Sequence, residues 1–332
     1  MEMFQLWRAD DVAEAVTSAA YGDRQLGAQV RFLAGGTTLV DLMKLGVERP
    51  GVVVDIGHLR LDKIEPTPAG GVRIGAMVRN ADLAQHEVIR EHYSVLSQAL
   101  LSGASPQLRN MATTGGNLLQ RTRCVYFRDA AMPCNKRAPG SGCPAMGGYH
   151  RNLAVLGTSE ACIASNPSDM NVALMALGAT IEIQGVDGRR SVDIDDFFLL
   201  PGDAPERETV LRPGELITHV TLPPWPPGTR SLYLKLRDRA SYEFALASAA
   251  VVVTLAQRSI QKARVALGGV GTRPWRTSAA DMMLTGAPSA KVFEAAAAEL
   301  LRDARPQRDN AFKIELARRS LVHALKTVTT GD

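Results

Sequence analysis

The apolar positions of this chain form short runs typical of strands and helical spacings, mixed along its whole length. The first part predicts a helix over about 12–20, after a pair of acids that can cap it, and a buried strand over 30–34. A glycine turn follows that strand, and apolar residues then recur at helical spacing up to Leu45. Further strands are predicted over 52–56 and 72–75. Further helices are predicted from Asn80 and over 88–101.

The rest of the chain repeats this mixture and is divided by a proline cluster at 223–228. Before the cluster, the pattern predicts one helix and two strands, over 172–177, 179–184 and 216–222. After it come two strands, over 245–255 and 262–270. Three helices follow, over 277–284, 289–302 and 309–327. Strands followed by helices indicate an α+β layer, so we predict an α+β fold with a domain boundary at the prolines.

Residues 121–169 differ from the rest because their apolar positions follow no sustained period. The stretch is rich in glycine and proline and contains all four cysteines of the chain. A long irregular stretch in a compact domain is uncommon unless something else orders it. We call residues 121–164 the cysteine segment.

Composition is that of a globular protein, since 332 residues with 45% hydrophobic content are enough for two domains. The net charge of +4 is mild and the basic residues are scattered, which argues against nucleic-acid binding. No apolar run reaches the roughly 20 residues of a membrane span. The N-terminus lacks a basic and apolar leader, so we expect no export signal on this chain and synthesis in a reducing compartment.

Two glycine turns have phosphate-binding chemistry. Gly35-Gly36-Thr37-Thr38 lies between a strand and a helix, where glycine permits close approach and the helix start offers free amides. An ordinary tight turn has the same pattern, but a second turn of this kind at 113–117 favours a dinucleotide between them. Neither turn matches the Gly-x-Gly-x-x-Gly or Gly-x-x-x-x-Gly-Lys-Ser/Thr pattern, so a nicotinamide domain or nucleoside triphosphatase is not supported.

The four cysteines are candidates for inorganic chemistry: Cys124, Cys134, Cys143 and Cys162. Their spacing, Cys-x9-Cys-x8-Cys-x18-Cys, lacks the close pairs of zinc ribbons, although structural zinc stays open. Disulfides need an oxidising compartment and stay open only for an exported protein. An iron–sulfur cluster needs four thiolates that converge in space, and their grouping in one segment favours that interpretation.

Five short stretches carry a family resemblance, in this order: Leu33–Asp41, Thr113–Leu118, Ser165–Asp169, Gly214–Ile217 and Tyr233–Arg237. Over essentially its whole length the chain resembles the FAD-binding medium subunits of the xanthine dehydrogenase and carbon monoxide dehydrogenase family. The resemblance implies a two-subdomain FAD-binding fold of the vanillyl-alcohol-oxidase (PCMH) type over 1–223, with subdomains about 1–58 and 59–223. It also implies a C-terminal α+β domain of the CO dehydrogenase flavoprotein type over 228–330.

The resemblance also implies the residues that bind FAD. The pyrophosphate is held by Ala34, Gly35, Gly36, Thr37, Thr38, Leu39 and Asp41. The path of the flavin and adenine is lined by Ala112, Thr113, Gly116, Asn117 and Leu119. Ser168 and Asp169 bind hydroxyl groups on the ribitol or phosphate side. Ile217 packs on the isoalloxazine and Lys235 lies near its polar edge, although a solvated lysine on a strand has the same sequence pattern.

Most family members run almost directly from the Gly-Gly-Asn turn to the Ser-Asp motif, whereas this chain inserts the cysteine segment. The insertion resembles that of 4-hydroxybenzoyl-CoA reductases. Its sequence is more similar still to flavin subunits of bacterial periplasmic aldehyde oxidoreductases, at Tyr126–Asp129, Pro133–Arg137 and Pro139–Cys143. The resemblance implies that the four cysteines ligate a [4Fe–4S] cluster near the FAD.

The implied function is that of an electron-transfer subunit. It passes electrons from a [2Fe–2S] subunit through FAD to an external acceptor, while a molybdenum cofactor subunit of the same heterotrimer oxidises an aldehyde. No catalytic residue for that oxidation is expected here. The alternatives are the flavin subunit of a 4-hydroxybenzoyl-CoA reductase-like or other molybdenum hydroxylase, with the cysteine segment a structural or docking element, and a free-standing flavin oxidase. We expect a periplasmic location by co-export with a signal-bearing partner, or a cytoplasmic one.

Overall fold

The computed structural model describes residues 1–27 and 29–330, and three sheets organise that part of the chain. The first sheet is parallel, in the order β1-β3-β2, with β1 (Gln5–Arg8), β2 (Val30–Leu33) and β3 (Val52–Asp55). Helix α1 (Val12–Leu26) begins at the cap Asp11, whose side chain accepts from the Glu14 amide, as the paired acids predict. Helix α2 (Leu39–Lys44) follows the glycine turn after β2.

The second sheet is antiparallel, in the order β4-β5-β8-β6-β7. Its strands are β4 (Ile64–Pro66), β5 (Val72–Gly75), β6 (Thr180–Gly185), β7 (Gly188–Asp193) and β8 (Leu216–Leu222). The helices beside it are α3 (Asn80–Gln85), α4 (Glu87–His92), α5 (Ser94–Ser102), α6 (Pro106–Met111), α7 (Thr114–Leu118), α8 (Val125–Arg128), α9 (Asp169–Leu177) and α10 (Ile194–Phe197). The long interval between β5 and β6 therefore contains both the second glycine turn and the cysteine segment.

The third sheet forms the C-terminal layer and is antiparallel, in the order β11-β10-β9. Its strands are β9 (Thr229–Leu236), β10 (Ala247–Ala256) and β11 (Ser259–Gly268). The helices that follow are α11 (Ser278–Met283), α12 (Ala290–Leu301) and α13 (Phe312–Thr330). Sheets and helices together confirm the predicted α+β class.

Each sheet has its own apolar core, and the cysteine segment has a fourth. In the fourth core, the fully buried Phe127 packs with three of the cysteines and with Leu42 and Val47. Because Leu42 belongs to α2, the cysteine segment is packed directly onto the helix that starts at the first glycine turn.

Several elements differ from the sequence pattern, among them the strands β1 and β4, which it does not predict, and two later ones. The apolar pattern over 88–101 continues without a break, but the helix is interrupted at Tyr93, which separates α4 from α5. The phenol of this buried residue donates to the Pro223 carbonyl over 2.7 Å, so the residue at the break has a partner far along the chain. Strand β9 begins immediately after the proline cluster, where the pattern predicts no strand. No helix among the described residues is long and apolar enough to cross a bilayer.

Candidate cofactor-binding site

A cleft of about 740 Å³ lies where the first sheet meets the second, within the size range of small-molecule sites. It is walled by the turn after β2, by the start of α7 and by the loop over 198–215. Nine residues predicted to bind FAD line it: Ala34, Gly35, Gly36, Thr37, Thr38, Leu39, Thr113, Gly116 and Leu119.

The first glycine turn is a cradle of free backbone amides. In the described part of the chain, the N–H groups of residues 35–39 make no hydrogen bond to protein, and the residues line the cleft. Gly36 has φ +71°, and a Cβ on Gly35 would lie 1.9 Å from the Met111 carbonyl oxygen. Free amides at the start of a helix suit a phosphate, so this turn fits the pyrophosphate of FAD.

The second glycine turn is built differently, because its amides are used within the protein. The Thr114 and Gly115 amides donate to the carbonyls of Val78 and Ala76 over 2.9 and 2.8 Å. The Thr113 hydroxyl accepts from the Gly116 amide over 3.2 Å and so caps α7. This turn therefore supplies a fixed wall of the cleft rather than a second set of free donors.

Seven residues predicted to contact FAD do not line this cleft: Asp41, Ala112, Asn117, Ser168, Asp169, Ile217 and Lys235. The Ser168 hydroxyl donates to Asn117 Oδ1 over 2.8 Å and joins two of the family motifs. Ser168 also lines a neighbouring cavity of about 190 Å³, which shares residues 165–167 with the cleft. Ile217 is buried in the core of the second sheet. The roles predicted for these side chains stay predictions.

Asp169 is the centre of a buried polar cluster at the same cavity. Its carboxylate accepts from the Tyr233 hydroxyl over 2.5 Å and from Lys235 Nζ over 2.8 Å. Burial, with the carboxylate beside it, raises the pKa of Tyr233 well above its ordinary value. Lys235 is a buried ion-pair partner, with only 3% of its side chain exposed, and not the solvated lysine of the alternative interpretation.

Asp41 lies in the first turn of α2 but faces the cysteine segment. Its Oδ2 accepts from Arg128 over 2.8 Å and from Arg123 over 3.2 Å. The helix that starts at the phosphate cradle is thereby tied to two arginines that flank Cys124.

All four cysteine side chains line one small cavity. Cys124, Cys134 and Cys162 are buried and Cys143 is half-buried, and all four are free thiols. The thiols pack closely, since the cavity has a volume of only about 10 Å³, and apolar groups such as Phe127 enclose it. Among residues 1–27 and 29–330, no group of three or more His, Cys, Asp or Glu side chains could hold a metal ion as placed.

The surroundings of the thiols suit an iron–sulfur cluster. Burial, by contrast, opposes the thiolate form that a cluster needs: it raises the pKa of Cys162 to about 11, although Lys136 opposes the rise, and it also raises the pKa of Cys124 and Cys143. Backbone amides donate to the sulfurs, as from Ala164 to Cys162 Sγ over 3.4 Å. Convergent thiols, amide donors and an apolar shell are the features that hold and tune such clusters.

The partition between cleft and cysteine cavity is charged, which the sequence did not predict. Arg121 donates to Glu48 and to Glu208, and Lys136 Nζ lies 3.0 Å from Glu208 Oε1. Arg31 donates to the other oxygen of Glu48 over 3.0 Å. These partners are far apart along the chain and no motif marks them, so only the fold reveals them.

Family models match both parts of the chain. Residues 2–225 match the FAD binding domain in molybdopterin dehydrogenase, and residues 232–328 match the CO dehydrogenase flavoprotein C-terminal domain. The chain therefore belongs to the FAD-binding subunits of the molybdenum hydroxylase family and is an oxidoreductase subunit. This confirms the predicted family and the predicted FAD-binding fold with its C-terminal α+β domain.

Individual relatives agree with this assignment. The chain is 52% identical to the aldehyde oxidoreductase FAD-binding subunit PaoB of Escherichia coli strain K12, over 98% of each chain. It is 29% identical to the glyceraldehyde dehydrogenase medium chain of Sulfolobus acidocaldarius, over 85% of this chain and 81% of that one. A carbon monoxide dehydrogenase structure from Hydrogenophaga pseudoflava matches with a TM-score of 0.78 at 25% identity, covering 99% of this chain and 98% of the other.

Proposed function

We propose that this chain is the FAD- and [4Fe–4S]-binding electron-transfer subunit of a molybdenum-containing aldehyde oxidoreductase. The observation that carries the proposal is the shared wall between the FAD cleft and the cysteine cavity, where Lys136, Cys162 and Ala164 line both. Two redox groups on either side of one wall would be close enough to exchange electrons. The 52% identity to an aldehyde oxidoreductase subunit supports the substrate class.

The residues of this chain would bind, orient and shield the two groups. The amides over 35–39 would hold the FAD pyrophosphate, and Thr113 and Gly116 would form the facing wall. The four cysteines would ligate the cluster, with Phe127 excluding water. Bound FAD supplies chemistry that links single-electron and two-electron transfer. The support for a cluster is that all four cysteines line one cavity, since the cluster needs four thiolates that meet in space.

The partners we propose are a [2Fe–2S] subunit and a molybdenum cofactor subunit. Aldehyde oxidation belongs to the molybdenum subunit, and this chain receives electrons and delivers them to an external acceptor. We further propose periplasmic delivery by co-export with a signal-bearing partner. Cell fractionation after co-expression with and without that partner tests this, since a cytoplasmic location in both cases would refute it.

A second candidate function, a flavin subunit of another molybdenum hydroxylase with a purely structural cysteine segment, has one observation in its favour. Five of the six Lys and Arg side chains of the cysteine segment pair with carboxylates outside it, which suits a structural element in another molybdenum hydroxylase. Metal analysis separates the two candidates. We expect iron and acid-labile sulfide in equal amounts, near four of each per FAD, with the broad visible absorption of a cluster. Zinc, or no metal with full FAD content, would favour the structural alternative.

The aldehyde assignment needs a separate experiment. With the partner subunits present, an aldehyde should reduce the FAD of this chain under anaerobic conditions. The isolated, FAD-loaded chain should show no reduction by the same aldehyde. Reduction by the isolated chain would indicate a free-standing flavin oxidase and contradict the proposed division of labour.

A further inference from the structure

Lys136 stands in the wall that separates the FAD cleft from the cysteine cavity, and it lines both. Only 9% of its side chain is exposed. Its ammonium group donates to the Pro205 carbonyl over 2.7 Å and pairs with Glu208 Oε1 over 3.0 Å. A charge in such a place acts strongly on its surroundings, because water screens it little.

Glu208 is shared between Lys136 and Arg121. Arg121 Nε donates to Glu208 Oε2 over 2.7 Å, and its guanidinium lies 4.6 Å from the centre of the Phe127 ring. Burial opposes ionisation of Glu208, but Arg121 and Lys136 outweigh it and hold the pKa of Glu208 below its ordinary value. The wall therefore contains a fixed negative charge between two fixed positive charges.

We propose that Lys136 and Glu208 set, in opposite senses, how readily a cluster held by the four cysteines accepts an electron. Reduction adds one electron to the cluster, and no bond forms or breaks. A fixed positive charge favours the more negative reduced state, and a fixed negative charge disfavours it. The inference rests on the proposed [4Fe–4S] cluster. Lys136 and Glu208 are positioning residues, because neither is expected to ligate iron.

Two variants remove the same ion pair but change the local charge in opposite directions. Lys136→Met removes a positive charge, and Glu208 keeps Arg121 as its partner. Glu208→Gln removes a negative charge, while Lys136 keeps the Pro205 carbonyl and Arg121 keeps Glu48. Lys136→Met leaves no buried charge without a counter-charge, whereas Glu208→Gln leaves Lys136 with neutral acceptors only, so unfolding is measured alongside for both variants. A purely structural role for the pair predicts that both variants change the cluster in the same way.

The test is a potential-controlled reductive titration of the full chain loaded with FAD and iron, with dithionite as electron donor and the EPR signal of the reduced cluster as readout. At a given applied potential, we expect Lys136→Met to lower the ratio of reduced to oxidised cluster on the order of tenfold. This change corresponds to a midpoint potential about 59 mV lower. Glu208→Gln should raise the potential. Lys136→Arg, which keeps the charge, should stay close to the wild type. Glu315→Gln, which breaks an exposed pair on α13, is the matched control and should leave the potential unchanged.

Shifts in the same direction for Lys136→Met and Glu208→Gln, or no shift in either, would overturn the inference. If Lys136→Met loses its iron, the other two variants still decide the question. Glu208→Gln should raise the midpoint potential of the cluster, and Lys136→Arg should leave it unchanged. A wild-type protein that binds FAD but holds no iron or sulfide would instead refute the proposed cluster, and the inference with it. The two failures are therefore distinguishable by metal analysis before any titration.

Discussion

Replacing Gly35 by alanine tests the phosphate cradle directly. The new Cβ would lie 1.9 Å from the Met111 carbonyl oxygen and 2.8 Å from its carbon. Side-chain Arg79 already donates to that oxygen, so the carbonyl has little freedom to turn away. The atoms that the new Cβ would meet are backbone, and reaching even the shortest distance that real Cβ atoms show requires the turn to move by about 1 Å in an interior packed as densely as a crystal.

The magnitude follows from the proposed hydrogen bonds between this turn and the FAD pyrophosphate. A hydrogen bond from an amide to a charged group contributes about 1.5–3 kcal/mol, and a displacement of about 1 Å breaks or bends those of residues 36–39. Losing one or two such bonds weakens FAD binding by about 3 kcal/mol, which is on the order of 100-fold in the dissociation constant. Overpacking costs the fold a further 1–3 kcal/mol or so.

The assay is titration of FAD-free protein with FAD, followed by the change in flavin fluorescence, with urea unfolding of the FAD-free protein alongside. The unfolding curve separates loss of binding from loss of fold. Gly147→Ala is the matched control, because its Cβ would meet no atom within 4 Å and its φ lies outside the left-handed region. The reasoning is refuted if Gly35→Ala binds FAD within a few-fold of wild type.

Three further outcomes test the buried polar and apolar groups. Lys313 is fully buried, and burial lowers its pKa from 10.5 to about 7, so the unfolded chain binds more protons between these values. Wild type should therefore gain stability over Lys313→Met as pH rises from about 7 towards 10.5, by at most about 5 kcal/mol in urea unfolding. Asp169→Asn should cost about 3–5 kcal/mol in the same assay because Lys235 loses its carboxylate, and adding Lys235→Met should recover much of the loss. Phe127→Ala should cost about 3–5 kcal/mol and lower the iron content, whereas unchanged iron would show that its ring does not support the cysteine cavity.

Features that depend on neighbours in sequence could be predicted. The strand, glycine turn and helix over 30–45 follow from an apolar run, two glycines and helical spacing, and the structure has β2, the turn and α2 in that order. The break at Tyr93 could not be predicted, because the apolar spacing continues through it. The residue at the break donates a hydrogen bond to Pro223, 130 positions away. Local pattern cannot encode such a partner.

The same distinction holds within the site. The nine cleft residues that could be predicted belong to two glycine turns and their flanks, whose composition is itself the signal. Arg121, Glu48 and Glu208 could not be predicted, since their separations of 73 and 87 positions match no motif. Lys235 shows the intermediate case: the resemblance selected the residue, but only the fold reveals that Asp169 and not solvent neutralises it.

The charges of the cysteine segment explain how an insertion can be held beside the cofactor cleft. The segment contains six Lys and Arg and two Asp and Glu, a net charge equal to the +4 of the whole chain. Five of its six cations are paired with host carboxylates that lie on separate elements, namely Asp41 on α2, Glu48 after it, Glu208 in the cleft loop and Asp238 after β9. These pairs differ in exposure, because Glu48 is buried whereas Arg151 and Asp238 are both open to solvent. Salt should therefore loosen the Arg151 contact and leave the Arg121 contact largely intact. The segment is consequently fixed most firmly at the wall it shares with the FAD cleft, which is where the proposed electron exchange would take place.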